Sequence, residues 1–572
     1  MVELARRRIL AGALGLALAL ARYPGVGNDP GARRTVADRV VSSTTELEAA
    51  FDGLSPGETV AISAANAPYR TTQWLDVDVD GVTVVGPGVA SLVKPADGAN
   101  VGGIRIGHHD HCENVAVRGV GFHGNPDGQH GRAKRRHGVV VRDAANVTLS
   151  GNRIERTHPY HEHGTGGSGV SAERPSRDVL VVGNRVRDAG DRGIQVASER
   201  ALVSGNVVTD SFDRSISCDV WRDGSHQQAR TVAVVGNVLG NAVEGSLTGV
   251  GGTAARADRG YVLVANNVGF GRHKSFCHVG FDGSVRNVRI AGNVSVQDGT
   301  LDNAGVSVNP DRARNVAVVD NDLSGYGGRG VNVERGVSGF TVAGNRIERP
   351  DTVGVRVAGA TDGTVENNVV ERAGRAGVEL DDARFVVVRG NRVRDVARAG
   401  VVATSSGHTP SNHEVSDNEI RGHGTANAAP GVLVRTAGNV VRGNRIFQRG
   451  GPAIVEGPGG ERNSYGGNWA SGRSPWRTDD SGSSPWRIDH PESVVTGHVP
   501  PFDVHRGLVA DASGTVAVRF DKPYARPPRL SFGRVGGGVR DVTYTTTGSA
   551  FDGAVVTVGS SGAVVDVFVD PF

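Results

Sequence analysis

The sequence predicts an all-β chain wound into a solenoid, and three observations carry that prediction. Asparagine recurs at Asn152, Asn184, Asn206, Asn237, Asn267, Asn293, Asn321, Asn345, Asn368, Asn391, Asn418 and Asn444, at intervals of 22 to 32 residues. Each one follows a short apolar-alternating run, as Asn184 follows Val179–Val182. Glycine supplies 84 of the 572 residues while aromatics make up only 5%, a composition suited to tight corners and stacked small side chains. Self-similarity at a period of about 20–50 residues marks a repeat architecture, and period-two runs mark strands.

Taken in order, residues 1–21 read as an export signal. Arg6-Arg7-Arg8 precede an apolar run from Ile9 to Ala21 that is shorter than the roughly 20 residues of a spanning helix. Ala19-Leu20-Ala21 offers a cleavage site, and Arg6-Arg7 resembles a twin-arginine signal. An uncleaved signal anchor is the alternative, and no other membrane insertion is expected. Either way the body lies outside the cytoplasm, secreted or at the cell surface. Residues 22–42 read as a linker.

Ser43 and Glu46 form a capping-box signature, and Leu47, Ala50, Phe51 and Leu54 share one helical face. This helix is placed as the cap over the open apolar end that a solenoid must cover. The solenoid itself spans residues 43–465. Residues 466–500, rich in Gly, Ser, Pro and Trp, read as a linker or cap, with Trp469, Trp476 and Trp486 available to cover the far end. Residues 501–572 alternate as five strands from Thr515–Phe520 to Val564–Val569 and read as a small antiparallel β-sandwich.

A net charge of +3 argues against a nucleic-acid-binding polycation. Cys112, Cys218 and Cys277 cannot all pair within the chain and lack zinc-ribbon spacing; Cys218 reads as a small core residue. Lysine is scarce, at Lys94, Lys134, Lys274 and Lys522.

The strand-then-asparagine corner, repeated down the chain, resembles the right-handed parallel β-helix superfamily, the pectate-lyase-like fold with its asparagine ladder. The resemblance covers residues 43–465. It implies that stacked asparagines are scaffold and that a glycan groove runs along the sheet formed by the strands after the corner. Lyases, hydrolases, epimerases, esterases and non-catalytic adhesins share the fold, so it does not choose an activity.

Insertions locate the candidate cleft. The coil of Asn152 gains a loop containing His158, His161 and His163, and those of Asn206 and Asn237 gain loops around Trp221-Arg222 and Val250–Arg259. Loops carry function, and the C-terminal coils are lean. Within this stretch an acid–base pair recurs before the strand, Asp191-Arg192 and then Asp213-Arg214, with Lys274 at the matching position further on. Gln195 and Asp219 fall at outward positions. Elimination from a uronate polymer needs a base for the proton α to the carboxylate, a cation to neutralise that carboxylate and a proton donor to the leaving oxygen.

Lys274, Arg214, Asp213, Asp219 and His163 are therefore the candidate catalytic residues; Asp191, Arg192, Gln195, Trp221, Arg222 and His161 are the candidate substrate-binding residues. The expected partner is an anionic, uronate-containing polysaccharide, and the expected activity is that of a polysaccharide lyase. The alternatives are a non-catalytic glycan-binding solenoid and a hydrolase or epimerase of the same fold. No metal ligand is assigned, and calcium is left open as a cofactor. Asp381-Asp382 and Gly422-His423-Gly424 imitate pieces of polygalacturonase-like enzymes, but they fall in lean coils and lack the remaining elements.

Overall fold

The computed structural model describes residues 37–570 except 130–135, 158–165, 223–224, 252–260, 281–284, 299–302, 310–312, 407–410, 427, 448–450, 472–485, 488–493, 497–502, 525–526, 536–538 and 548–549. The chain is an all-β parallel β-solenoid of about 14 turns, with a small antiparallel sheet region at its C-terminus. It divides into two units, Met1–Asn368 and Val369–Phe572.

In the first unit every turn gives one short strand to a parallel sheet. Its members include Leu75–Val77, Ile104–Ile106, Val139–Val141, Val170–Ala172, Ile194–Val196, Ile216–Ser217, Thr248–Val250, Cys277–Val279 and Val306–Val308. A second parallel sheet holds the strands on either side of each asparagine corner, such as Arg177–Val182 and Arg185–Arg187. Alternation sends Val179, Val181, Val186, Ile194 and Val196 into the buried interior.

The corners are held by a ladder. The side-chain oxygen of Asn206 accepts from the backbone N–H (2.8 Å) and Nδ2 (3.0 Å) of Asn184. Asn206 Nδ2 in turn donates to Asn237 Oδ1 and to Val181 O, each at 2.9 Å. The pattern runs from Asn152 to Asn368 in this unit, and it satisfies amides that a buried corner would otherwise orphan. The residue before each of these asparagines is left-handed, for example Gly183 (φ 66°), Asn266 (φ 54°) and Asp320 (φ 55°), which explains why only Gly, Asn or Asp stands there.

The N-terminal helix is Thr44–Asp52. The Ser43 hydroxyl accepts from Glu46 N at 3.2 Å, while the Glu46 carboxylate reaches back one residue further than a capping box requires, to Ser42 N at 2.7 Å. It buries Leu47, Ala50 and Phe51 and packs on Arg39–Val41, Tyr69–Thr71 and Leu75–Val77. The first strand, Arg39–Val41, pairs with Thr59–Ile62, so parallel pairing begins inside the stretch read as linker.

In the second unit the ladder runs Asn391, Asn418, Asn444, Asn468. A further asparagine pair, Asn439 and Asn463, bonds in the same way at another corner. Trp469–Ser471, Trp486–Arg487 and Val494–Thr496 all join parallel sheets, so solenoid pairing extends past residue 465. Trp469 packs edge-on against Phe447 at 5.0 Å; Trp476 lies outside the described residues. The C-terminal region forms two antiparallel three-stranded sheets, with Val516, Val518, Phe520, Ala554, Val556, Val565 and Val567 between them.

The ladder makes a stability prediction. Asn267 accepts twice from Asn237 at 2.9 Å and donates to Asn293 Oδ1 (3.0 Å) and Val234 O (2.9 Å). Buried groups left unpaired cost about 1–3 kcal/mol each, so Asn267→Ala should lower stability by about 3 kcal/mol or more in urea denaturation. Asn315→Gly keeps the left-handed backbone (φ 54°) and removes only an exposed 2.7 Å bond to Asn287; it should cost about 0.5 kcal/mol.

Candidate functional site

Strand alternation fixes which side chains leave the solenoid on the sheet that starts at Leu75–Val77. Consecutive turns place Arg105, Val140, Ser171, Gln195, Ser217, Gly249 and His278 in one outward column, in register. Turns stack about 4.8 Å apart, so neighbours in the column touch. This is not a solvated stripe: Ser171, Gln195, Ser217 and Asp219 are all buried, Asp219 at 0% exposure. Outward here means away from the solenoid core and under other parts of the chain.

Arg192 is the hub of that covered face. Its Nε lies 3.4 Å from Asp213 Oδ2, its Nη1 donates to Gln195 Oε1 at 3.2 Å, and the same nitrogen lies 3.7 Å from Asp219 Oδ2. Burial works against the guanidinium charge, but Asp219, Asp191 and Asp213 outweigh it and hold its pKa above the ordinary arginine value. Asp213 also accepts from Arg214 Nη1 at 2.6 Å. A Cβ at Gly245, on the next turn, would collide with the Asp213 carboxylate and carbonyl, so glycine there makes room for the acid. Ser217 donates to Asp219 in a short bond.

On the other side of Arg192, Gln195 Nε2 donates to Ser171 Oγ (2.9 Å), and Ser171 donates to Glu173 Oε1 (3.3 Å). Glu173 is buried and lies 3.5 Å from Arg142 Nε. One polar chain therefore crosses the sheet from Arg142 to Arg214.

His278 completes the centre, two turns from Ser217 in the same column with only Gly249 between them. Its pKa is lowered to about 4, first by burial and then by the positive charge of Arg214, against the opposing pull of Asp213. At neutral pH it is an uncharged imidazole within the field of the Arg214 guanidinium.

The structure thus brings together Asp191, Arg192, Asp213, Arg214, Gln195 and Asp219 of the sequence-predicted residues. Lys274 lies four residues before His278 on the same turn; its backbone N–H donates to Gly245 O at 2.8 Å, and its side chain, 45% exposed, lies 3.8 Å from Glu244. Its neighbour His273 is fully buried, facing Tyr326 at 3.3 Å, and is part of the core. His161 and His163 lie outside the described residues. The backbone of Asp219–Arg222 forms an antiparallel hairpin with Ser225–Gln228, and the Trp221 and Arg222 side chains lie outside the described set.

Sequence reasoning missed His278, Ser171, Ser217's bond to Asp219, and Glu173. His278 was within reach of it, being the central residue of the short strand after Lys274-Ser275-Phe276. Among the described residues, no group of three or more His, Cys, Asp or Glu could hold a metal ion, and no helix is long and apolar enough to cross a membrane.

A parallel β-helix with a covered acid–arginine centre on one sheet is the class that fold and site define. The model of the right handed beta helix region matches residues 97–234 and 278–446, more than half of the chain, and the chain belongs to that family. No curated protein matches it. Among solved structures it is similar to a tailspike protein mutant of E. coli bacteriophage HK620 in complex with a hexasaccharide, at 12% identity, over 93% of this chain and 90% of that one, with a TM-score of 0.42. It is similar to the A-module of the Azotobacter vinelandii mannuronan C-5 epimerase AlgE4, at 16% identity, over 80% and 100% of the chains, with a TM-score of 0.26. The catalytic domain of a GH87 alpha-1,3-glucanase in complex with tetrasaccharides is similar at 11% identity, over 72% and 70%, with a TM-score of 0.41. All three act on or bind carbohydrate, and at these identities the likeness is one of fold.

The hub predicts its own pH dependence. Arg192→Gln leaves the buried Asp219 carboxylate without its cation, which costs about 3–5 kcal/mol. Protonation removes that buried charge, so the loss should be greatest near pH 7 and smaller at pH 5, as urea denaturation at the two pH values will report. Equal losses at both would mean that the guanidinium serves only to fill space.

Proposed function

We propose that the chain is an exported, carbohydrate-active β-helix protein that cleaves a uronate-containing polysaccharide by β-elimination at the Arg214–His278 centre. The observation that supports this reading is the neutral imidazole of His278 within the field of Arg214, on the sheet face that also carries Asp213 and Arg192. Arg214 neutralises the sugar carboxylate, which acidifies the α carbon. His278 takes the α proton. The electron pair left behind forms the new carbon–carbon double bond, and the bond to the leaving oxygen breaks. Lys274, on the same turn as His278, is the candidate donor of the proton that this oxygen takes up.

Arg192, compensated by Asp191, Asp213 and Asp219, holds Asp213 and through it Arg214 in place. A second reading, a glycan-binding solenoid without catalysis, is favoured by one observation: Asp219, Ser217 and Gln195 are buried and already bonded to one another or to Arg192.

Incubation with alginate, pectate and glycosaminoglycans, followed by ultraviolet absorbance of the unsaturated product, separates the two. A new double bond from at least one substrate is expected, and its absence from all of them removes the lyase reading. His278→Ala should lower kcat by about 100-fold or more. The base form of His278 prevails above its pKa of about 4, so kcat/KM should rise through that pH and then level off. Arg214→Gln removes a charge that lowers this pKa, so in that variant the acid limb should move to higher pH.

A further inference from the structure

The same outward column carries a second group of charged side chains at its N-terminal end. Arg105 lies at mid-strand, four turns before Ser217 along the register Arg105, Val140, Ser171, Gln195, Ser217. Four steps of about 4.8 Å amount to about 19 Å. Asp76 holds the Arg105 guanidinium at both Nε and Nη2, each at 2.6 Å, which leaves Nη1 for a ligand oxygen. The guanidinium also lies over the Trp74 ring, 5.0 Å from its centroid, and a Cβ at Gly102 would strike that indole. Arg105 is thus locked between a carboxylate and an aromatic face, so little side-chain freedom is lost on binding.

Two further groups converge there. Arg142 donates to His108 Nδ1 in a short bond and reaches Glu173 at 3.5 Å. His109 is 62% exposed, lies 3.6 Å from Asp76, and sets its ring against His108 at 4.4 Å. His108 is driven down to about 4 by burial and then by the positive charges of Arg105, Arg142 and His109, with Asp76 opposing, while Asp78 accepts from the backbone N–H groups of His108 and His109 at 2.6 and 3.1 Å. The polar chain from Arg142 through Glu173, Ser171 and Gln195 to Arg192 joins this cluster to the centre described above.

We propose that Arg105, His108, His109 and Arg142 form a second anion-recognition subsite, which takes a carboxylate-bearing sugar of the same polymer about 19 Å from the Arg214 turn. The inference rests on the proposed uronate substrate and extends it: the protein selects chains long enough to engage both clusters. Linked engagement raises affinity without any new kind of contact.

Calorimetric titration of the full chain with uronate oligomers of defined length tests this. Wild-type affinity should rise with length until both clusters are spanned, by about 100-fold or more over the shortest oligomer that binds. Arg105→Gln with His109→Ala should lose at least 10-fold of that gain on long oligomers and leave short ones unchanged. Asp76→Asn with Arg105→Gln, which leaves no carboxylate unpaired, should show the same loss. Long-chain affinity equal to wild type in both variants overturns the subsite, as does a wild-type protein that binds short oligomers with no gain for longer ones. A wild-type protein that binds no uronate oligomer of any length overturns the substrate reading and this inference together.

Discussion

One interaction sets the geometry on which everything else depends: an asparagine side chain that accepts the backbone N–H of the asparagine one turn before it. From Asn152 to Asn368 each such bond measures between 2.8 and 3.0 Å. It pins successive corners directly above one another, whatever the length of the loops between them. The coils can therefore differ by up to ten residues in spacing, from 22 to 32, and still deliver their next strand in register. Function is free to reside in the loops and on the outward column because the corner does not move.

Strict register has an electrostatic consequence. Equivalent positions on consecutive turns lie about 4.8 Å apart, so a repeated Asp-Arg dipeptide becomes two stacked acids and two stacked bases. The chain handles this by interleaving: Arg192 on one turn faces Asp213 and Asp219 on the next, and Arg214 closes on Asp213. Beneath cover, with Asp219 fully buried, such pairing is obligatory rather than decorative, because an uncompensated buried charge is costly. Burial, and after it the positive charge of Arg214, holds the pKa of His278 down and keeps it neutral. A base available at neutral pH thus arises from register and burial together.

The fold was legible because its signals are local and repeated. Left-handed corners demand Gly, Asn or Asp before the ladder asparagine, and the ladder demands the asparagine itself. Asn439 and Asn463 escaped notice because a ladder of two has no period to detect. The acid–arginine hub was legible for the same reason as the fold, since Asp191-Arg192 and Asp213-Arg214 repeat in register. What could not be read was cover. An outward polar residue looks solvated in a sequence, and nothing in the order of residues says that Ser171, Gln195, Ser217 and Asp219 are shielded. His278 was overlooked on that account, because its distinction lies in burial and in Arg214, two turns and more than sixty residues away. Lys274 is legible as a rare lysine, whereas its approach to Glu244 at an exposed turn is not.

Register and burial together place a neutral imidazole within the field of Arg214. The most direct test of that placement is a proton-NMR titration of the His278 ring in the intact protein, with the resonance assigned by its loss in His278→Gln. A midpoint at about 4 is the predicted result. A midpoint near the ordinary histidine value of about 6.5 would contradict it, because burial and Arg214 would then not act on the ring.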